Sequence, residues 1–240
     1  MKLSERLENV LTLLASEDCS RVVDIGTDHG YIPIESLLRG IARGAAAADV
    51  RRGPLERAAA NAAGAGVGDK ISFILSDGLK DVSISDGDTL VITGMGGPLI
   101  ERILTDGRGR LLKGGRLILS PQSGQPHFRQ FLADNGFCIT RESCAADDGK
   151  YYFIIEAVYG KEAEAYEPFE LAYGRKSLFL TQSRSRRREL ICRDIACFES
   201  LIRALTQDNT RARTRRNELE ESLRLARTAL DEYDQAAGDY

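Results

Sequence analysis

Apolar and polar positions divide the chain into three regimes. At the N-terminus Leu3, Leu7, Val10, Leu11 and Leu14 recur at helical spacing, so the chain opens on an amphipathic helix. From Arg21 to Gly160 short apolar runs alternate with helical stretches. The run RVVDIG (21–26) is rich in β-branched residues and reads as a buried parallel strand, followed by a glycine-containing turn and a helix beginning near Tyr31. Further strands are expected at 45–50, 70–78, 88–97 and 115–122, with helices at 53–66, closed by Gly64 and Gly66, and at 127–137. Residues 137–160 give two strands joined directly, and a connection without a helix implies an antiparallel pair at the sheet edge. The sum is an α/β fold, a Rossmann-like sheet of seven strands.

Beyond residue 160 the pattern becomes helical and highly charged. Ile195, Phe198, Ile202 and Leu205, and later Leu219, Leu223, Ala226, Leu230 and Tyr233, follow a three-four spacing, which is a heptad seam. The seam breaks at Asn209 and Arg216, and TQDN (206–209) carries a turn and a helix N-cap. Two antiparallel helices forming a coiled-coil hairpin are expected. One long helix in an intermolecular coiled coil is the competing reading. Residues 1–160 are assigned to the sheet domain and 161–240 to the helical domain, and a monomer is expected.

Composition narrows the setting. No apolar run is long enough to cross a bilayer, and Glu5 and Glu8 interrupt the first helix, unlike the core of a signal peptide. A cytoplasmic protein without membrane association is expected. The five cysteines form no C-x-x-C pair and only two histidines are present, so metal-free chemistry is expected. Net charge is −3, yet Arg175 to Arg216 holds 12 Lys/Arg against 4 Asp/Glu. That local +8 leaves −11 on the rest: an acidic body with a basic appendage.

Four short motifs carry candidate chemistry. In DIGTDHGYIP (24–33) a turn between strand and helix lets backbone approach a ligand closely. It does not match the dinucleotide pattern G-x-G-x-x-G, and Asp28 would repel a pyrophosphate. S-adenosylmethionine carries an ammonium and a sulfonium instead, which favours carboxylates here. Asp49, 25 residues after Asp24 and followed by Val50, can accept hydrogen bonds from ribose hydroxyls, or cap the next helix. In Ser76-Asp77-Gly78 the carboxylate can bind the adenine amine, with Gly78 leaving room for the base; a plain turn is the alternative. Thr93, Gly94, Met95 and Gly96 end the fourth strand, where ligands meet in open α/β sheets, and no Asn/Asp-Pro-Pro-Tyr/Phe stretch stands there. Met95 either packs on an incoming base or belongs to the core.

Together LSERL (3–7), DIGTDHGYIP, GPLERAAAN (53–61), SDGL (76–79) and VITGMGGPLI (91–100) closely resemble the bacterial tRNA (adenine-22-N1)-methyltransferase family. The resemblance covers residues 1 to 160 in motif and the tail in architecture alone. It implies a class I methyltransferase fold with a C-terminal coiled-coil domain, methylating N1 of an adenine in the D arm of tRNA. It implies cofactor contacts at Asp24, Gly26, Thr27, Asp28, Asp49, Asp77, Gly78 and Thr93 to Gly96.

For such a reaction the lone pair on N1 needs no strong base, and the cationic product needs a nearby carboxylate. Asp28 is the expected catalytic group, through position rather than proton transfer. His29 orients the base, relays a proton, or caps the helix with its ring. Arg184, Arg186, Arg187 and Arg188, with Arg211, Arg213, Arg215 and Arg216, are expected to line one side of the hairpin against phosphates, chiefly through Arg184, Arg187, Arg211 and Arg215. A methyltransferase acting on another RNA or a protein, and a non-catalytic RNA-binding module, remain as alternatives.

Overall fold

The computed structural model describes residues 3–160, 165–206 and 209–235. Its elements are α1 (Glu5–Leu14), β1 (Cys19–Ile25), α2 (Tyr31–Leu38), β2 (Ala42–Asp49), α3 (Arg52–Gly64), β3 (Ile71–Leu75), β4 (Asp88–Met95), α4 (Gly97–Asp106), β5 (Arg116–Pro121), α5 (Gln125–Asp134), β6 (Phe137–Asp147) and β7 (Lys150–Tyr159). The helical region adds α6 (Pro168–Tyr173), α7 (Arg184–Ala204) and α8 (Thr210–Gln235). The expected domain boundary after residue 160 abuts 161–164, and part of the expected turn is 207–208; both segments lie outside the described residues.

The seven strands form one sheet in the order β3-β2-β1-β4-β5-β7-β6. β1 to β5 pair in parallel, and β7 runs antiparallel to both β5 and β6. Strand sequences are apolar throughout because both faces are covered. Val22, Val91, Ile118 and Ile154 face the layer made by α1 and α2, which contributes Val10, Leu14 and Ile32. Their neighbours Val23, Ile92, Leu119 and Ile155 face the opposite layer, with Ile100 of α4 and Phe128 of α5. Helix α4 was not foreseen: the glycines before it mask its onset. Pro98 starts it, and its apolar face is buried through Ile100, Ile103 and Leu104.

Helices α7 and α8 pack on each other as a hairpin, so two helices, not one long one, occupy the tail. The Asn209 Oδ1 accepts from the Ala212 backbone N–H at 2.9 Å, the N-cap its residue type foretold. Leu219, Ala226 and Ala229 are the buried positions of α8. All five cysteines are free thiols.

The hairpin corrects the expected arginine patch. An antiparallel pair sets the start of α7 beside the end of α8, so Arg186–Arg188 lie near Glu232 and Asp234. Arg211 to Arg216 begin α8 at the far end of the 21-residue α7, about 30 Å away. The two arginine groups therefore do not line one continuous side. Arg187 is fully buried and donates to the carbonyls of Tyr173 (2.9 Å) and Gly174 (2.8 Å) and to Glu232 (3.1 Å). It holds the root of the hairpin and cannot reach a phosphate. Arg186 pairs with Glu5 and Glu189, Arg188 with Asp234, and Arg216 donates to the Leu205 carbonyl at the end of α7. Arg211 and Arg215 are exposed, the latter beside Glu218 at 2.8 Å; Arg184 is half-buried.

Replacing Arg187 by Ala leaves the Tyr173 and Gly174 carbonyls without their donor. The unfolding free energy should drop by about 3 kcal/mol in urea titrations followed by circular dichroism. An unchanged midpoint would remove Arg187 from the structural framework.

Candidate active site

Parallel strands leave their carboxyl ends open to ligands where helices diverge on either side of the sheet. Here β1 and β4 are adjacent, and the turns that leave them face one another. The β1 turn is pinned from the other side: the N–H groups of Gly26 and Thr27 both donate to the Ala48 carbonyl of β2, at 2.8 and 3.0 Å. Gly26 has φ +77°, and a Cβ there would collide with the Met95 side chain. Met95 thus packs into the turn, as well as against the core. In β4 the register against β5 shifts between Thr93 and Met95, with Gly94 at φ +79°. That bulge turns the chain before α4 begins.

A cavity of about 210 Å³ opens between these two turns and α1. Asp24, Gly26, Thr27, Asp28, His29, Thr93 and Gly94 line it, together with Arg6, Leu7 and Tyr31. Arg6 is the residue that sequence reasoning missed. It sits on the polar side of an amphipathic helix, a position where an arginine ordinarily faces water, and only its place in LSERL could have singled it out. Its Nη1 is buried without a partner, and its guanidinium lies over the Tyr152 ring at 5.3 Å. The Thr27 hydroxyl is likewise buried without a hydrogen bond of ordinary geometry.

Asp24 is buried at the floor, and burial pushes its carboxyl up to about 6. The nearby Thr27 hydroxyl draws it down, and the charge of Asp49 raises it again. Asp28 is exposed and pairs with Arg57 at 2.6 Å, which holds its carboxyl below the usual range. The His29 ring does not cap α2, whose N-cap is Gly30 with no side-chain bond. It stacks on Tyr31 instead, with centroids 5.3 Å apart.

The remaining expected residues lie beside this cavity rather than in its lining. Asp49 ends β2 and is buried; its Oδ1 accepts from the Arg51 N–H at 2.8 Å, while Val50 is exposed. Asp49 therefore shapes the turn without acting as the N-cap of α3, which is Arg51. Asp77 and Gly78 follow β3 and line a separate cavity, with Asp77 bound to Lys80 at 2.6 Å. Met95 and Gly96 lead from the cavity to α4.

A family model described as a methyltransferase domain matches residues 3–155. The tRNA (adenine(22)-N(1))-methyltransferase of Bacillus subtilis (strain 168) is 33% identical over 174 residues, 72% of this chain and 72% of the relative. The chain belongs to the tRNA (adenine(22)-N(1))-methyltransferase family. Two solved structures are similar over nearly the whole length. A putative tRNA (m1A22) methyltransferase of Streptococcus pneumoniae, in complex with S-adenosyl-L-methionine, aligns with a TM-score of 0.80 at 29% identity, covering 95% of this chain and 100% of that one. The M. capricolum TrmK, in complex with S-adenosyl-homocysteine, aligns at 0.80 and 26%, covering 96% and 99%.

The family's likeness and the cavity agree in chemistry. A zwitterionic amino-acid end needs an anion and a cation, and the cavity is lined by both Asp24 and Arg6, whose Nη1 has no partner in the protein. The residues present therefore fit S-adenosylmethionine.

The buried Asp24 has a consequence for the protein without ligand. Its proton is held more tightly in the folded chain than in the unfolded one, where the carboxyl titrates near 3.8. Between these values the unfolded state holds fewer protons, so stability falls as pH rises from about 4 to 6. Denaturation across that range should show the fall in the wild type, and Asp24→Asn should flatten it. Parallel profiles would contradict a protonated Asp24.

Proposed function

We propose that the chain transfers the methyl group of S-adenosylmethionine to N1 of an adenine in tRNA, at position 22 in the D arm. It does so without a metal, as a cytoplasmic monomer. The observation that carries this reading is the cavity where Asp24 and the unpartnered Arg6 meet at the ends of β1 and β4, in a chain of this family. S-adenosylmethionine supplies an electrophilic methyl on a sulfonium.

The protein's own residues bind and orient. The Asp24 carboxylate takes the ammonium group and Arg6 the carboxylate. Asp49 receives the ribose hydroxyls; Asp77, with Gly78, receives the adenine amine. The backbone from Thr93 to Gly96 bounds the entry of the target base, where Gly94 is exposed and carries no side chain. With both held there, the N1 lone pair would take the methyl group while the sulfur keeps the electron pair of the broken bond, and most of the acceleration would come from these residues holding the two reactants in register. Asp28 stays ionised because Arg57 stabilises its charge, and that charge faces the base that becomes cationic. His29, stacked on Tyr31 at the cavity wall, orients the base. Phosphate contacts fall to Arg211 and Arg215 at the hairpin tip and to Arg184 at its root.

The decisive experiment is methyl transfer from radiolabelled S-adenosylmethionine to unmodified tRNA, with each D-arm adenine changed in turn. Incorporation should vanish for one adenine alone. No incorporation into any tRNA despite cofactor binding would transfer the case to a protein substrate. A second expectation concerns Arg6. Arg6→Leu should weaken S-adenosylmethionine binding about tenfold or more in calorimetric titration, the scale of one charge-assisted hydrogen bond. Unaltered affinity would remove Arg6 from the cofactor site.

A further inference from the structure

A second and larger cavity, of about 380 Å³, lies between the sheet domain and the hairpin. It has no part in the cofactor chemistry above. Its position is informative. The Gln122 N–H at its mouth donates to the Met95 carbonyl at 2.8 Å, and the Gly97 N–H donates to Ser123. The segment after β5 that lines the cavity is thus tied to the turn after β4, and the cavity shares no lining residue with the one that holds Asp24.

The lining has the chemistry of a stacking site. Tyr151 and Phe153 come from β7, Tyr173 from α6 and Phe198 from α7. The Arg193 guanidinium lies over the Tyr151 ring at 4.7 Å, and the Tyr173 hydroxyl donates to Asp194 at 3.3 Å. Flat aromatic and guanidinium surfaces bind the faces of bases regardless of sequence. One polar atom of the lining residues lacks a partner. The Gln125 Oε1 is buried without a partner, while its Nε2 donates to the Pro121 carbonyl at 2.6 Å. That bond to a carbonyl fixes which end of the amide is oxygen. The cavity is thus lined by Gln125, whose amide oxygen has no partner, and by the half-buried rings of Tyr151 and Phe198 over the buried Phe153 and Tyr173, and every nucleobase carries an N–H donor on its edge.

We infer that this cavity holds a second nucleobase of the tRNA, the immediate neighbour of the methylated adenine, unstacked from the D arm and seated between sheet domain and hairpin. The inference rests on the proposed methyl transfer to tRNA and adds where the substrate is gripped. Bringing one adenine out of a folded arm breaks its stack with the adjacent base. A site for that base replaces the lost stacking with aromatic contact. It also accounts for the attachment of the hairpin to the sheet, since α7 and α8 supply Phe198 and Ser222 to the same cavity.

The test is a cycle between protein and RNA. On the protein side, Ser222→Phe fills the cavity from α8 and Gln125→Leu removes the acceptor. On the RNA side, an abasic nucleotide replaces the neighbour of the target adenine, first on one side and then on the other. Each protein variant should keep wild-type affinity for S-adenosylmethionine and lose about tenfold in affinity for intact tRNA. At one of the two neighbours the abasic tRNA should lose a similar factor with the wild type, and little more when paired with either variant. Additive losses at both neighbours, or full tRNA affinity in both variants, would overturn the inference while leaving methyl transfer intact. A wild-type protein that methylates no tRNA would instead remove the underlying reading, and this inference with it.

Discussion

The Glu142 carboxylate, fully buried where β6 meets the helical region, is the contact on which the arrangement of sheet and hairpin depends. One oxygen pairs with Arg129 of α5, also fully buried, at 2.7 Å. The other accepts from the Arg175 N–H at 3.1 Å. Gly174 passes so close that a Cβ would strike that same oxygen. Arg129 reaches on to the Leu171 carbonyl, and Arg187 to those of Tyr173 and Gly174. A charge this deep is tolerated only when paired and hydrogen-bonded on every side. The peptide between α6 and α7 therefore has one path, and the hairpin leaves the sheet in one direction.

That direction places the chemistry. Helix α7 packs against β6, and its middle turns, from Leu190 to Phe198, line the aromatic cavity with β7 and the segment after β5. On the opposite face of the sheet, α1 is held by a second buried pair, Arg116 with Glu156 at 2.6 Å. Arg116 also donates to the carbonyls of Leu13 and Leu14, closing the end of α1. The same helix carries Arg6 over the β1 turn. The two buried pairs thus fix the layers on the two faces of the sheet, and neither lines the cavity that holds Asp24.

The charge asymmetry of the sequence takes on a more exact meaning in this frame. A third of the basic stretch is paired at the root of the hairpin: Arg175, Arg186, Arg187 and Arg188 pair with Glu170, Glu5, Glu232 and Asp234. At the tip Arg211, Arg213 and Arg215 are exposed, while Arg216 closes the end of α7.

Periodicity in the sequence determined the sheet, its antiparallel edge and the helix pair, because strands buried on both faces and a heptad seam leave one-dimensional signatures. Asp24, Gly26, Thr27, Thr93 and Gly94 were legible as cavity residues for the same kind of reason: a parallel strand delivers whatever follows it to the carboxyl edge. Asp49 and Asp77 were legible as strand-end residues, but their bonds to Arg51 and Lys80 were not. Helix α4 hid behind the glycines that begin it. What only the tertiary structure decided was the fate of each arginine. Arg6 and Arg187 are alike as letters in charged helices, and each keeps one buried nitrogen without a partner, yet Arg6 lines a ligand cavity and Arg187 holds the carbonyls of Tyr173 and Gly174. Burial and partnership are set by elements far away in the chain, and a local pattern carries no record of them.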